Sequence, residues 1–221
     1  MLFLISTPIG NLEDFSFRAV KAIESCDYLL CEDTRHSQKL LAHYELRKPL
    51  KSYHQFNEAA RQNGILEDLK SGKTIGLLSD AGTPGIADPG MRLVKKCREE
   101  GLEISAIPGA CAAIVALVAS GFTTERFQFV GFLPFKKGKR EKLLVETLSY
   151  PGTTIAYESP HRIVSTLEIL AQIAPQVEVI VARELTKKFE TYHRGTAPFL
   201  LEGWRKTPPK GEMVLLLPGS Q

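Results

Sequence analysis

Cysteine is scarce in this chain: four in 221 residues, at Cys26, Cys31, Cys97 and Cys111. None forms a C-x-x-C pair, so a zinc site of that kind is excluded, and no metal is expected. Each lies in an apolar or helical stretch, where a free thiol acts as a small hydrophobe. The expectation is a reducing compartment without disulfides. Long apolar runs are also missing. Nothing approaches the ~20 residues that span a bilayer, and Met1–Ser6 is too short and lacks a basic flank for a signal peptide. A cytoplasmic location and no membrane contact are expected. Charge of one sign is in short supply as well: 28 basic and 25 acidic residues leave a net +3. That excess is too slight for nucleic-acid binding through bulk charge, so a local patch would have to supply the attraction.

What is present, 43% hydrophobic and 24% charged residues, suits one large or two small globular domains with a real core. Short apolar runs alternate with amphipathic stretches. Strands are expected at Leu2–Ile5, Asp27–Cys31, Thr74–Leu78 and Glu103–Ile107. Between them come a helix capped by Asp14 or Ser16 with Phe17, Val20 and Ile23 on its buried face, and helices at Ser37–Tyr44, Asn57–Leu69 and Met91–Glu100. A small-residue helix runs from Cys111 to Ala119. This alternation implies a parallel sheet covered on both faces. The second half repeats the rhythm, with strands at Gln128–Phe132, Thr153–Tyr157, Val177–Val181 and Met213–Leu217. Helices are expected within Lys136–Leu148 and at His161–Ile173 and Pro198–Trp204, and Glu190–Arg194 is placed to pair antiparallel. The reading is two α/β domains, 1–119 and 120–221, divided somewhere in 118–125, with a cleft between them as the usual place for a ligand.

The first strand ends in Thr7-Pro8-Ile9-Gly10, and Glu32-Asp33 ends the second about where a ribose-binding acid sits in a dinucleotide fold. The loop has one glycine where that fingerprint needs three, and Pro8 removes a backbone donor. An oxidoreductase of that type is thereby disfavoured. The most informative stretch is Ser79-Asp80-Ala81-Gly82-Thr83-Pro84-Gly85-Ile86-Ala87-Asp88-Pro89-Gly90. Three glycines and two prolines fix an unusual loop between a strand and a helix. It lies at the sheet edge where open α/β folds bind ligands. Asp80 can accept from an ammonium or a hydroxyl, whereas Asp88 is read as the N-cap of the following helix.

Eight segments fall in an order that resembles the tetrapyrrole-methylase superfamily, in its small-subunit ribosomal RNA methyltransferase branch. They are Thr7–Leu12, Glu32–His36, Ser79–Gly90, Pro108–Ala112, Gly131–Pro134, Tyr157–Arg162, Ala182–Lys187 and Gly211–Met213, and they are spread along nearly the whole chain. The resemblance implies class III methyltransferase architecture: two unlike α/β domains with mostly parallel or mixed sheets and S-adenosylmethionine held in an interdomain cleft. It implies a homodimer acting on the ribose 2′-oxygen of a cytidine in the decoding region of 16S rRNA, within the small ribosomal subunit. Cofactor contacts carried over are Pro8, Ser79, Asp80, Ala81, Thr83 or Pro84, Cys111, Ala112, Tyr157, Glu158, Leu185, Gly211 and Met213. Two departures stand out. Ala110 occupies a place where the family often has proline, and Gln221 follows soon after the last strand where many relatives continue.

Methyl transfer is an in-line displacement, so positioning comes first. A ribose hydroxyl also profits from a base or from a cation near the developing charge. The candidate bases are Glu184, then Glu158 and His36, with Arg183 as a stabilising cation. Orientation without any enzyme base is the alternative. Lys136, Lys137, Lys139 and Arg140 form the densest basic cluster, and with Arg35, Arg162 and Lys187 they are the residues expected on RNA phosphates. Phe132 and Phe135 are placed to stack on bases. His43, His54 and His193 have no metal-like spacing. Two rival readings remain: a methyltransferase of the same superfamily acting on a tetrapyrrole or another small molecule, and a non-catalytic RNA-binding assembly factor.

Overall fold

A computed structural model describes residues 1–219. Contacts divide the chain into two compact units, Met1–Cys111 and Ala112–Gln221.

The first unit is a parallel five-stranded sheet. Its strands are β1 (Leu2–Ile5), β2 (Tyr28–Cys31), β3 (Leu50–Ser52), β4 (Ile75–Leu78) and β5 (Ile104–Ile107), in the spatial order β3-β2-β4-β1-β5. The strands are apolar on both sides because both sides are covered. On one face Ile5, Leu29, Cys31 and Leu78 pack on helices α1 (Phe17–Ser25) and α2 (Thr34–His43). On the other, Leu2, Leu30, Ile75 and Leu77 pack on α3 (Glu58–Lys70) and α4 (Met91–Glu99). β3 escapes a pattern reading because it is three residues long, carries Lys51, and lies at the sheet edge.

At the caps the structure decides between the two candidates for α1 and overturns the one expected for α4. Ser16, not Asp14, caps α1 by accepting the Ala19 N–H, and the buried stripe is Ala19, Ala22 and Ile23. Phe17 is the first helical residue and stands 91% exposed. Gly90, at φ 134°, caps α4, so Asp88 is released from the capping role expected of it. α2 begins three residues earlier than its hydrophobic spacing suggests, because the Asp33 carboxylate accepts the Arg35 N–H and starts the helix there.

The second unit is a mixed sheet. It comprises β6 (Phe127–Phe132), β7 (Thr153–Glu158), β8 (Glu178–Arg183), β9 (Thr191–Thr196) and β10 (Met213–Leu217), in the order β6-β7-β10-β8-β9. Only β6 and β7 run parallel; β10 pairs antiparallel with β7 and β8, and β8 with β9. One face packs on α6 (Lys137–Leu148), α7 (Ile163–Ile173) and α8 (Ala197–Trp204). The other face packs on α5 (Ala112–Ser120), which contacts β7 and β10. The expected boundary at 119/120 places α5 with the first domain. Its packing places it with the second, since Ala113, Ala116 and Leu117 bury themselves there.

Candidate functional site

Three loops meet at the carboxyl edge of the first sheet, above β4, β1 and β5. After β1 the chain passes to α1 on one face, and after its neighbour β4 it passes to α4 on the opposite face. Neighbouring strands whose connections leave toward opposite faces open a crevice at their carboxyl ends. The loops there are bound to one another. Thr7 and Gly82 exchange backbone hydrogen bonds of 2.9 and 3.1 Å. The Thr7 hydroxyl donates to the Ser79 carbonyl at 3.1 Å, and the Ser79 hydroxyl to the Gly82 carbonyl at 2.7 Å. Ser6 Oγ donates to Thr83 Oγ1, which in turn donates to the Ala110 carbonyl at 3.0 Å. Gly82 holds φ 84°, a region left to glycine. A methyl on Gly109 would sit 2.7 Å from Ser6 Cβ, so the β5 loop can close on β1 only without a side chain.

Asp80 couples this edge to β2: one of its carboxylate oxygens accepts the Asp33 N–H at 3.1 Å. Pro8, Thr83, Cys111 and Ala112 are partly buried, Ser79 and Pro84 are buried, and Ala81 is exposed. A carboxylate, backbone polar groups and close backbone approach form a donor set that fits a nucleoside bearing an amino-acid group.

Beside these loops, above β2 and β3, lies a cavity of about 380 Å³ lined by Glu32, Gln55, Glu58, Asp88, Met91 and Arg92 among others. Burial raises the Glu32 carboxyl above its ordinary range, and the Asp80 charge adds to the effect. Burial, then the charges of Glu32 and Asp80, push Asp88 up to about 6. Arg92 pairs with Glu58 at 3.2 Å. Gln55, Glu58 and Arg92 escaped the sequence reading because they come from separate segments with no motif of their own. Asp33 is occupied by Arg35, whose hydrogen bonds hold its carboxyl well below the usual range. His36, in the first turn of α2, is exposed and makes no side-chain hydrogen bond among the described residues.

In the second unit the expected catalytic carboxylates are engaged. Glu158 is buried; one oxygen accepts from Arg162 Nη2 and the Ser159 N–H, both at 2.7 Å, and the other from the Thr166 hydroxyl at 2.7 Å. It anchors Arg162 and leaves little for a substrate proton. Glu184, at φ 52°, accepts from Lys187 and the Glu212 N–H, both at 3.0 Å. Burial raises its carboxyl, but those hydrogen bonds outweigh burial and hold it below the ordinary value. A methyl on Gly211 would lie 2.5 Å from the Glu184 side chain. Arg183 donates to Thr191 and the Phe189 carbonyl within the β8–β9 hairpin, and to the Lys210 carbonyl in the segment before β10. Leu185 and Met213 are buried in the apolar interior, so only their backbones could face a ligand. Thr186, at φ 64°, carries a buried hydroxyl without a hydrogen-bond partner among the described residues. An orphaned hydroxyl next to Leu185 suits a segment that receives a polar ligand.

The basic cluster splits in two. Lys136, Lys137 and Lys139 are exposed. Arg140 is 4% exposed, with Nη2 donating to Ser165 at 2.9 Å. It sits on the inner face of α6 and packs toward α7, which removes it from the residues expected on phosphates. Phe132 and Phe135 stand 60% and 84% exposed. Arg162 lies 5.8 Å from the Phe135 ring, and Tyr157 packs edge-on to Phe132.

A family model described as tetrapyrrole (corrin/porphyrin) methylases matches residues 1–200. The chain is 45% identical over 219 residues to ribosomal RNA small subunit methyltransferase I of Halalkalibacterium halodurans, covering 99% of this chain and 76% of that protein. It is 43% identical to the protein of the same name in Hydrogenobaculum, covering 98% and 94%. Among solved structures, a diphthine synthase matches with TM-score 0.74 at 13% identity, over 99% of this chain and 89% of that one. A uroporphyrin-III-C-methyltransferase from Thermus thermophilus matches with TM-score 0.67 at 18% identity, over 98% and 93%. At such identities the likeness to these two is one of fold.

Proposed function

Because this chain belongs to the tetrapyrrole-methylase family and, within it, to the ribosomal RNA small subunit methyltransferase I family, we propose that it methylates the ribose 2′-oxygen of a cytidine in the decoding region of 16S rRNA. The observation that carries the substrate is the 45% identity extending over 99% of the chain, which spans both units. The cofactor reading is supported by the three mutually bonded loops around Asp80.

S-adenosylmethionine supplies a methyl group already activated on a sulfonium. The chain's task is therefore to hold, orient and keep water away. Asp80 keeps one oxygen on the Asp33 N–H and offers the other to an ammonium or hydroxyl. Ser6, Thr7, Ser79 and Thr83 stiffen the loops so that their backbone groups are preset before binding. Glu158 and Glu184 act as positioning residues, for Arg162 and Lys187 respectively. His36 is the candidate left free to take the hydroxyl proton. The exposed Lys136, Lys137 and Lys139 hold phosphates, while Phe132 and Phe135 offer stacking faces. The protein acts on the small subunit as a homodimer.

The test is mass spectrometry of nucleosides from 16S rRNA after incubating small subunits with the protein and S-adenosylmethionine. New 2′-O-methylcytidine at a decoding-region position is expected. Its absence, with the cofactor bound, overturns the reading. His36→Ala is expected to lower kcat by ~10²-fold or more, as loss of a general base does, with cofactor affinity unchanged by calorimetry.

A further inference from the structure

The cavity over β2 and β3 has no part in cofactor binding as described, yet it adjoins the loop that carries Asp80. Its volume of about 380 Å³ falls in the range of small-ligand pockets and suits a single nucleoside. Its lining is mixed. Glu32 and Asp88 present acceptors, and Gln55 and Arg92 present donors. Glu58 holds Arg92 in place at 3.2 Å.

We propose that this cavity receives the base of the target nucleotide and selects a pyrimidine bearing an exocyclic amine, with Glu32 and Asp88 accepting from the amine and Gln55 and Arg92 facing the ring carbonyl. This rests on the reading above that an RNA cytidine is the substrate. A carboxylate is the side chain that reads a cytosine amine, and it repels the carbonyl that uracil presents at the same place. The mixed charge fits as well: a purely acidic pocket would attract cations, whereas acids facing a guanidinium match the donor and acceptor edges of one base. Both ligands would then sit on one sheet edge, the cofactor over β1, β4 and β5 and the base over β2 and β3. The base must leave its stack to enter, which an unpaired or weakly stacked nucleotide does most readily.

The protein, with S-adenosylhomocysteine present, is titrated with cytidine 5′-monophosphate and, separately, uridine 5′-monophosphate, and amide shifts are followed by NMR. Cytidine monophosphate is expected to move the Gly90, Met91 and Arg92 amides and to bind roughly 5- to 100-fold tighter than the uridine analogue, the range of one good base contact. Asp88→Leu, and independently Glu32→Leu, should erase that ratio while the melting temperature shows each variant folded. Equal response to the two nucleotides, shifts confined to other segments, or an unchanged ratio in both variants would overturn the inference. The proposed reaction is judged apart, by 2′-O-methylcytidine formation on subunits. Turnover with no cytidine preference at the cavity defeats this inference alone. A selective cavity without turnover defeats the reaction instead.

Discussion

One carboxylate at Glu158 meets three donors, from Arg162, Ser159 and Thr166, with no exposure of its side chain. Removing one partner of a buried ion pair strands the other charge, which costs about 3–5 kcal/mol. Glu158→Ala is therefore expected to lower unfolding free energy in urea by roughly that amount. Cofactor affinity should change far less if stability is restored by lower temperature. Asp88 behaves in the opposite sense. Its folded-state value of about 6 lies above the ordinary 3.8. The folded chain thus binds the proton more tightly than the unfolded one, and stability falls as pH rises from about 4 to about 6. Asp88→Asn should be more stable than the parent at pH 7 and equal to it below pH 4. Thermal melts across that window check the sign. Both residues were legible as members of a motif. Their roles were not, because a role depends on which groups arrive from other segments.

Elements decide which face of a charged stretch meets solvent. Lys136-Lys137-Gly138-Lys139-Arg140 reads as one basic run. Once α6 forms, its buried stripe takes Arg140, Leu144 and Thr147 inward and leaves Lys137 and Lys139 outside. Lys137→Ala and Lys139→Ala should each reduce the salt dependence of RNA binding by ~0.7–0.9 in log–log slope, the value of one phosphate contact. Arg140→Leu should leave that slope unchanged. A filter-binding series at rising salt separates the two. The helix start at Thr34 follows the same logic. Hydrophobic spacing locates a helix body, but the Asp33 cap sets where it begins, and so puts His36 in the first turn.

At the scale of the whole molecule, each unit carries its own apolar core. α5 covers one face of the second sheet with Ala113, Ala116 and Leu117. A fragment from residue 112 onward is therefore expected to give a dispersed NMR spectrum and a cooperative melt. A fragment from residue 120 onward leaves the β7–β10 face bare and should lose on the order of 3 kcal/mol, chiefly the burial of Leu117 with its two alanines. It should also self-associate in light scattering. Equal stability of the two fragments would contradict the packing described for α5.

Local pattern determined most of the architecture. Alternating apolar strands and amphipathic helices fixed the α/β class and the position of nearly every element. The glycines and prolines of residues 79–90 fixed an irregular loop at a strand end, because backbone torsions are a property of the residues themselves. Three things were left to tertiary structure. Strand order, with β4 between β1 and β2 and β10 between β7 and β8, depends on contacts far apart in sequence. The engagement of Glu158 and Glu184 depends on donors from Arg162, Thr166, Lys187 and Glu212 reaching them. The cavity of Glu32, Gln55, Asp88 and Arg92 exists only because three connections close over one sheet edge. Hydrogen bonds, burial and electric fields act through space, and a linear pattern carries only the part of them that neighbouring residues share.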